Sequence, residues 1–450
     1  MLLGLAATSL PAQQTPADRV IQSLQLHAKM YPQDPAGYDR LGAAYLQKGR
    51  ETGDASYYEL AKKALDKSLE LESDGPDAAS ATAHMAIVYM AQHRFDQALT
   101  WAENALALGS GDLSPWAIVV DALTDMGEYG KALEYCSRLE TPAGSAAGRD
   151  WSYERNSRLS YLKFISGDTR SATELMRSAI RAATANQMPR ENIAWSQYQL
   201  GDECYRTGDL AGAESAFQDS LATYPGYYRA LAGLAAVRAA QKRYPESIEL
   251  YQRAVAVIPD PIFVAALGDA YAKVGRPAEA QTEYDLVEFI GRLSEINKVL
   301  YNRDLAIFYA DHDRKLQEAV DLARKELEVR RDVYTWDALA WALYKSGRAS
   351  EAREPMEKAL RPGLKTSPEN RPESSSTTGL AGPTGLTGVT AGRAAGATTG
   401  PETGPQDVML FFHAGMIYDR LGETAKARDY LDRALSADPN FHPFYAEVAG

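Results

Sequence analysis

Residues 335–360, "TWDALAWALYKSGRASEAREPMEKAL", decide how the rest of the chain is read. Apolar residues recur at helical spacing on both sides of "KSGR", which predicts two short helices folded back on each other. Gly347 marks the turn, Ala352 follows five residues later, and Ala359 seven after that. The spacing returns as Gly127, Ala132, Leu139, then Gly167, Ala172, Ala179, then Gly208, Ala213, Ser220. It returns again as Gly275, Ala280, Val287 and as Gly422, Ala427, Ala434. His93, Ala98, Ala105 and Lys242, Ser247, Ala254 keep it without the glycine. The first helix of a unit has its own mark, seen in Leu41-Gly42, Leu200-Gly201, Leu267-Gly268 and Leu339-Ala340. Pro225, Pro259 and Pro439 close units where a helix must stop. A period of about 34 residues is internal repetition.

Steric needs explain these choices. Two helices of about a dozen residues cannot bury their apolar stripes alone, so they pack on each other and on neighbouring pairs. Close approach requires side chains no larger than a methyl at the contact points, and glycine at the turn supplies a left-handed cap. Trp336, Phe217, Tyr251, Tyr271 and Tyr284 are the large residues expected to fill the gaps beside the small ones. The small residues are contact points.

These residues carry a resemblance. The segments "QYQLGDECYRTGDLAGAESAFQDSLATYP" (197–225), "VAALGDAYAKVGRPAEAQTEY" (264–284) and "FFHAGMIYDRLGETAKARDYLDRALSADP" (411–439) are similar to the tetratricopeptide repeat. The resemblance covers most of the chain from about residue 35 onward. It implies an all-α fold, a right-handed superhelix of about nine or ten helix hairpins. The chain also resembles bacterial envelope and secreted proteins of this repeat class, for which no biochemical activity is implied.

The organisation expected is a signal-like start (1–17), the repeat array (18–362), an inserted segment (363–405), and a last unit with its cap (406–450). "MLLGLAATSLPAQQ" is an apolar run ending in small residues, with Ala12 at a plausible cleavage point, which predicts export to the periplasm or beyond. Without export the chain would be cytoplasmic. The inserted segment is rich in Gly, Thr, Ser and Pro, lacks apolar periodicity, and predicts disorder. Its "GLAGPTGLTG" (379–388) has no preceding strand and no lysine, so low complexity explains it better than a phosphate loop. Closing so long a loop costs roughly 2 kcal/mol. Burying about 400 Å² of apolar surface contributes roughly 10 kcal/mol before ordering costs, so the last unit is expected to dock on the array. Within the array, "RETGDASYYEL" (50–60) should lengthen the first unit's turn or second helix, and 287–303 should run on as one long helix.

Composition narrows the function. The 450 residues hold 48 basic and 60 acidic side chains, a net charge of −12. Nucleic-acid binding and anionic membrane surfaces are disfavoured, because both need clustered cations. No apolar run is long enough to span a bilayer. Two cysteines, Cys136 and Cys204, exclude a disulfide framework and a thiolate zinc cage. They fall on helices two units apart, too far for a bridge, and are expected to be free and buried. No cofactor or metal is called for, and no hydrolase or nucleotide-binding motif is present.

"YADHDRK" (309–315) groups Asp311, His312 and Asp313 at a helix-to-helix turn. A histidine near a helix C-terminus between solvated carboxylates explains it better than acid–base chemistry. His413 and His442 sit among aromatics in the last unit, which favours packing over ligation. In tetratricopeptide arrays the first helices line a concave surface that binds extended peptides. Carried over by register, the groove here comprises Asp39, Asp121, Tyr161, Tyr198, Asp202, Tyr205, Asp269, Asp337, Trp341 and Tyr344. The Lys–Asn pattern of the carboxylate-clamp variant is missing. The expectation is a non-catalytic scaffold for a protein or peptide, with a basic or neutral extended segment as its ligand. The alternatives are a glycan-binding accessory protein stacking sugars on Tyr161, Tyr198, Trp341 and Tyr344, and a hydrolase using Asp311 or Asp313.

Overall fold

At the repeat's turn position the backbone dictates the conformation. Gly347 takes φ 76° there, and Lys242 at 60° and His93 at 55° adopt the same left-handed state without glycine's freedom. That state lets the chain leave the first helix and start the second within three residues. The small residues that follow are fully enclosed, with Ala352, Ala359, Ala98, Ala105 and Ala254 at 0 % exposure.

A computed structural model describes residues 15–109, 114–138, 151–297, 302–362 and 404–449. Met1 to Gln14, Leu139 and most of the inserted segment, with the expectations made for them, lie outside the described residues. A lone helix, α1 (Pro16–Met30), precedes α2 (Pro35–Thr52) with α3 (Ser56–Leu71) and α4 (Pro76–Ala91) with α5 (Phe95–Ala107). Next come α6 (Ser114–Asp125) with α7 (Tyr129–Arg138) and α8 (Ser152–Ile165) with α9 (Thr169–Ala185). The middle pairs are α10 (Arg190–Arg206) with α11 (Leu210–Thr223) and α12 (Tyr228–Ala240) with α13 (Tyr244–Val257). They are followed by α14 (Pro261–Lys273) with α15 (Pro277–Asn297) and α16 (Asn302–Asp311) with α17 (Leu316–Leu327). The series ends with α18 (Val333–Lys345) and α19 (Ala349–Leu360), α20 (Val408–Arg420) and α21 (Thr424–Ala437), and the single turn α22 (Ala446–Ala449). Ten hairpins therefore stand among the described residues, within the expected number.

The first hairpin departs from its expected form. Its extra residues extend the first helix to 18 residues rather than the turn, and the left-handed cap moves to Gly53. Gly49 does not stop the helix, because Arg50, Glu51 and Thr52 continue it and the Tyr58 ring packs against Gly49. The long helix expected over 287–303 is met only as far as Asn297, where the 21-residue α15 ends, and Asn302 and Arg303 already belong to α16.

First helices form the inner layer. Each contacts its own second helix, and successive first helices touch from α2 to α8 and again from α10 to α20, while successive second helices make no comparable contact. Between α8 and α10 the series is interrupted, and Glu203 bridges the gap to Ser160 at 3.2 Å.

The superhelix closes on itself after one turn. The Val333 N–H donates to the Tyr129 hydroxyl at 2.9 Å, 204 residues away in sequence, and the Arg331 N–H donates to the Asp125 carbonyl at 2.9 Å. The third hairpin's turn thus meets the start of the ninth, so six hairpins complete one turn. The same seam sets Ile258 against Gly53 and Arg206 against Asp407 at 3.1 Å. The last hairpin is held from both sides. It touches α18 and α19 beside it, where Trp341 packs on Phe412 at 5.7 Å, and it meets α10 across the seam.

Candidate functional site

The ten groove residues separate by burial and pairing. Asp39 accepts from Ser80 at 2.7 Å and contacts His84 Nδ1 at 2.6 Å, tying α2 to α4. Asp121 pairs with Arg158 at 2.7 Å and Asp202 with Arg206 at 2.6 Å. Asp269 accepts from the Tyr284 hydroxyl at 2.7 Å and lies 2.8 Å from His312 Nε2. Asp337 pairs with His413 at 2.9 Å, joining α18 to α20 across the inserted segment. Four of the five aspartates meant for a ligand therefore bind neighbouring units, and Asp202 is paired on its own helix.

Trp341 is 1 % exposed, donates its indole N–H to Asp311 at 2.7 Å, and stacks between Tyr344 and His413. It is a core residue. Tyr344 is half-buried on its ring. Tyr161, Tyr198, Asp202 and Tyr205 stay half-exposed although protein surrounds them, so they look into a narrow interior. Burial raises all three phenols above the ordinary tyrosine value.

Sequence reasoning missed the cations of this wall. Arg158, Arg206, Arg229 and Arg303, from α8, α10, α12 and α16, stand half-exposed among the tyrosines, and Arg206 lies 4.5 Å over the Tyr334 ring. The wall is a balanced Tyr–Arg–Asp surface rather than the acidic one that the aspartates alone suggested. The signal was legible in part: Asp202 and Arg206 stand four apart, the spacing of paired charges on one helix face.

The histidine clusters are also spent on structure. His312 Nδ1 lies 2.8 Å from the Phe308 carbonyl. Burial opposes its protonation, but the bonds to Asp269 and Phe308 outweigh burial and raise its pKa. His413 behaves likewise through Asp337, and His442 stacks on Tyr445 at 4.4 Å. Cys136 and Cys204 are free and buried, their thiols pushed up to about 11 and about 12 by desolvation. Among the described residues no cluster of three or more His, Cys, Asp or Glu side chains could hold a metal ion. No described helix is long and apolar enough to cross a membrane.

A stack of helix hairpins with small residues at fixed contact points, coiled around an inner wall of first helices, defines a helical-repeat solenoid. Tetratricopeptide repeat models match residues 198–261, 408–441, 79–104 and 261–285. The chain is a tetratricopeptide-repeat protein. No curated protein matches it. Similar solved structures include a tetratricopeptide repeat protein from Parabacteroides merdae, 18% identical over 67% of this chain and 96% of that one, TM-score 0.31. Human IFIT1, solved as a dimer with m7Gppp-AAAA, is 16% identical over 77% of each chain, TM-score 0.47. Yeast Tom70 is 13% identical over 96% of this chain and 92% of that one, TM-score 0.32.

Proposed function

We propose that the chain is a non-catalytic scaffold that binds a protein partner through an extended segment lying along its inner wall. The observation that carries this reading is the set of half-exposed rings and charges on first helices, Tyr161, Tyr198, Asp202, Tyr205 and Arg206. Rings with a polar tip give contact area at low entropic cost, and the alternating charges register a peptide backbone. With arginines beside the aspartates, the segment that fits is mixed or neutral in charge. Because the seam closes the wall, the segment enters from an end of the superhelix or where the seam parts. The apolar start of the chain supports a place in the periplasm or outside the cell. The acidic balance and the pairing of each wall arginine but Arg229 argue against nucleic acid as the partner.

The test is capture of the partner with the intact chain, followed by calorimetry with Tyr161→Ala plus Tyr205→Ala. At least a tenfold loss of affinity with unchanged helix content is expected. Affinity equal to that of the intact chain would remove the inner wall from the reading. Asp269 is unsuited to this test, because reversing a buried, doubly bonded carboxylate would unfold its hairpin.

A further inference from the structure

A cavity of about 1110 Å³ lies across the seam, between the α2–α3 and α4–α5 turns on one side and the starts of α10, α12 and α14 on the other. It exists because the superhelix closes there, where Ile258 and Tyr228 come against Gly53. Four carboxylates line it, and each is engaged. Asp54 accepts the Ser56 N–H at 2.9 Å and Asp260 the Ile262 N–H at 3.0 Å. Glu59 accepts from the Gln92 amide at 2.7 Å, and Glu191 lies 3.7 Å from Arg50.

Arg229 lines the same cavity and differs from them. Among the described residues it has no ion pair and no hydrogen bond, and it rests 5.2 Å from the centre of the Tyr228 ring. Glu191 and Asp260 balance its charge only at a distance, and burial makes both poorer anions, pushing Asp260 up to about 6. A guanidinium carries five N–H donors in a rigid fork suited to carboxylate or phosphate, and here protein encloses it with those donors unspent. Tyr227 and Tyr228 are buried in the floor at 2 % and 4 % exposure, whereas the rings of Trp195 and Tyr58 remain half-exposed.

We propose that this cavity binds a carboxylate- or phosphate-bearing molecule with a flat or apolar body, the anion held by Arg229 and the body lying on Trp195 and Tyr58. Its volume is that of a small-molecule site, and an unspent cation beside half-covered rings is the polar-plus-aromatic lining such sites use. Both turns of the superhelix supply walls, so occupancy ties them together and stabilises the fold by mass action. The site shares Arg229 with the inner wall but none of the residues that carry the scaffold reading, so its failure leaves that reading untouched.

The experiment titrates the full chain with phenyl phosphate, inorganic phosphate and a capped aspartyl-phenylalanine dipeptide, by calorimetry and by thermal midpoint. Phenyl phosphate is expected to bind once per chain and raise the midpoint, with inorganic phosphate at least tenfold weaker. Arg229→Gln should weaken phenyl phosphate at least tenfold, and Arg229→Lys, which keeps the charge but not the fork, should fall between. Circular dichroism checks that both variants fold. Dipeptide binding as tight as phenyl phosphate assigns the anion to an acidic peptide side chain, and weaker dipeptide binding assigns it to a free small molecule. No binding of phenyl phosphate at millimolar concentration, or binding that Arg229→Gln and Arg229→Lys leave unchanged, overturns the site.

Discussion

Glu203, 6 % exposed on α10, shows how much a single buried atom decides. Its neighbour Ser160 has one hydroxyl proton to give, within reach of both the Ala172 carbonyl at 2.7 Å and Glu203 at 3.2 Å. Desolvation pushes the Glu203 carboxyl from 4.5 up to about 8, with the hydrogen bond from Ser160 opposing. The sign follows directly. Between those values the folded state holds a proton that the unfolded state has lost, so this stability is full below pH 4.5 and is lost as pH rises through about 8. Glu203→Gln keeps the bridge and removes the ionisation. Denaturant unfolding at acid and alkaline pH should show the intact chain losing on the order of 5 kcal/mol more than the variant. Equal losses would mean that Glu203 is ionised in the fold. Spacing alone placed residues such as Lys242 and His93 at the turn, because the left-handed backbone there belongs to the position. Glu203 was not legible, because nothing in "LGDECY" (200–205) reveals that α8 stands off from α10.

Helix pairing was the most legible level, and Phe217 shows both its reach and its limit. The Leu200-Gly201 mark correctly names a close approach: a Cβ at Gly201 would meet the Phe217 ring at 2.5 Å. A Cβ at Gly233, on the next hairpin's first helix, would meet the same ring at 2.5 Å. One ring is therefore clasped by two glycines from adjacent units, a relation that a repeat read one unit at a time does not display. Gly201→Ala gains about 0.5–1 kcal/mol of helix propensity but overpacks the ring by about 1–3 kcal/mol, so net destabilisation is expected. Phe217→Leu, which frees space, should abolish the penalty of Gly201→Ala in a double-mutant cycle measured by thermal unfolding. Additive effects would place the strain elsewhere. The aspartates were misjudged at this same scale. Register set them on first helices, but His84, Arg158 and His413 sit on the next first helix and His312 just past the end of one, and that pairing depends on the angle between hairpins.

The seam lies beyond sequence reading because it is the sum of every hairpin-to-hairpin rotation over six units, and a few degrees each would open or close it. Closure gives the molecule its cavity and its enclosed wall, and it bears on how the last hairpin is held. Asp407 does two things at once. It caps α20 by accepting the Met409 and Leu410 N–H groups at 2.9 and 3.2 Å, and it binds Arg206 of the previous turn at 3.1 Å. Asp407→Ser keeps a capping oxygen and removes the anion, while Arg206 retains Asp202, so the variant isolates the seam contact from the cap. A protease site placed within residues 363–403 converts docking of the last hairpin into a measurable association. After cleavage the intact sequence should stay together through gel filtration at micromolar concentration, because Trp341, His413 and the Tyr445 hydroxyl on Asp311 hold it from one side and Arg206 from the other. The cleaved Asp407→Ser chain should associate on the order of tenfold more weakly, as removal of a buried partner in an ion pair demands. Fragments that part at once in the intact sequence would show that neighbour packing is too weak to hold the cap. Equal affinities would show that the seam at Arg206 adds nothing to it.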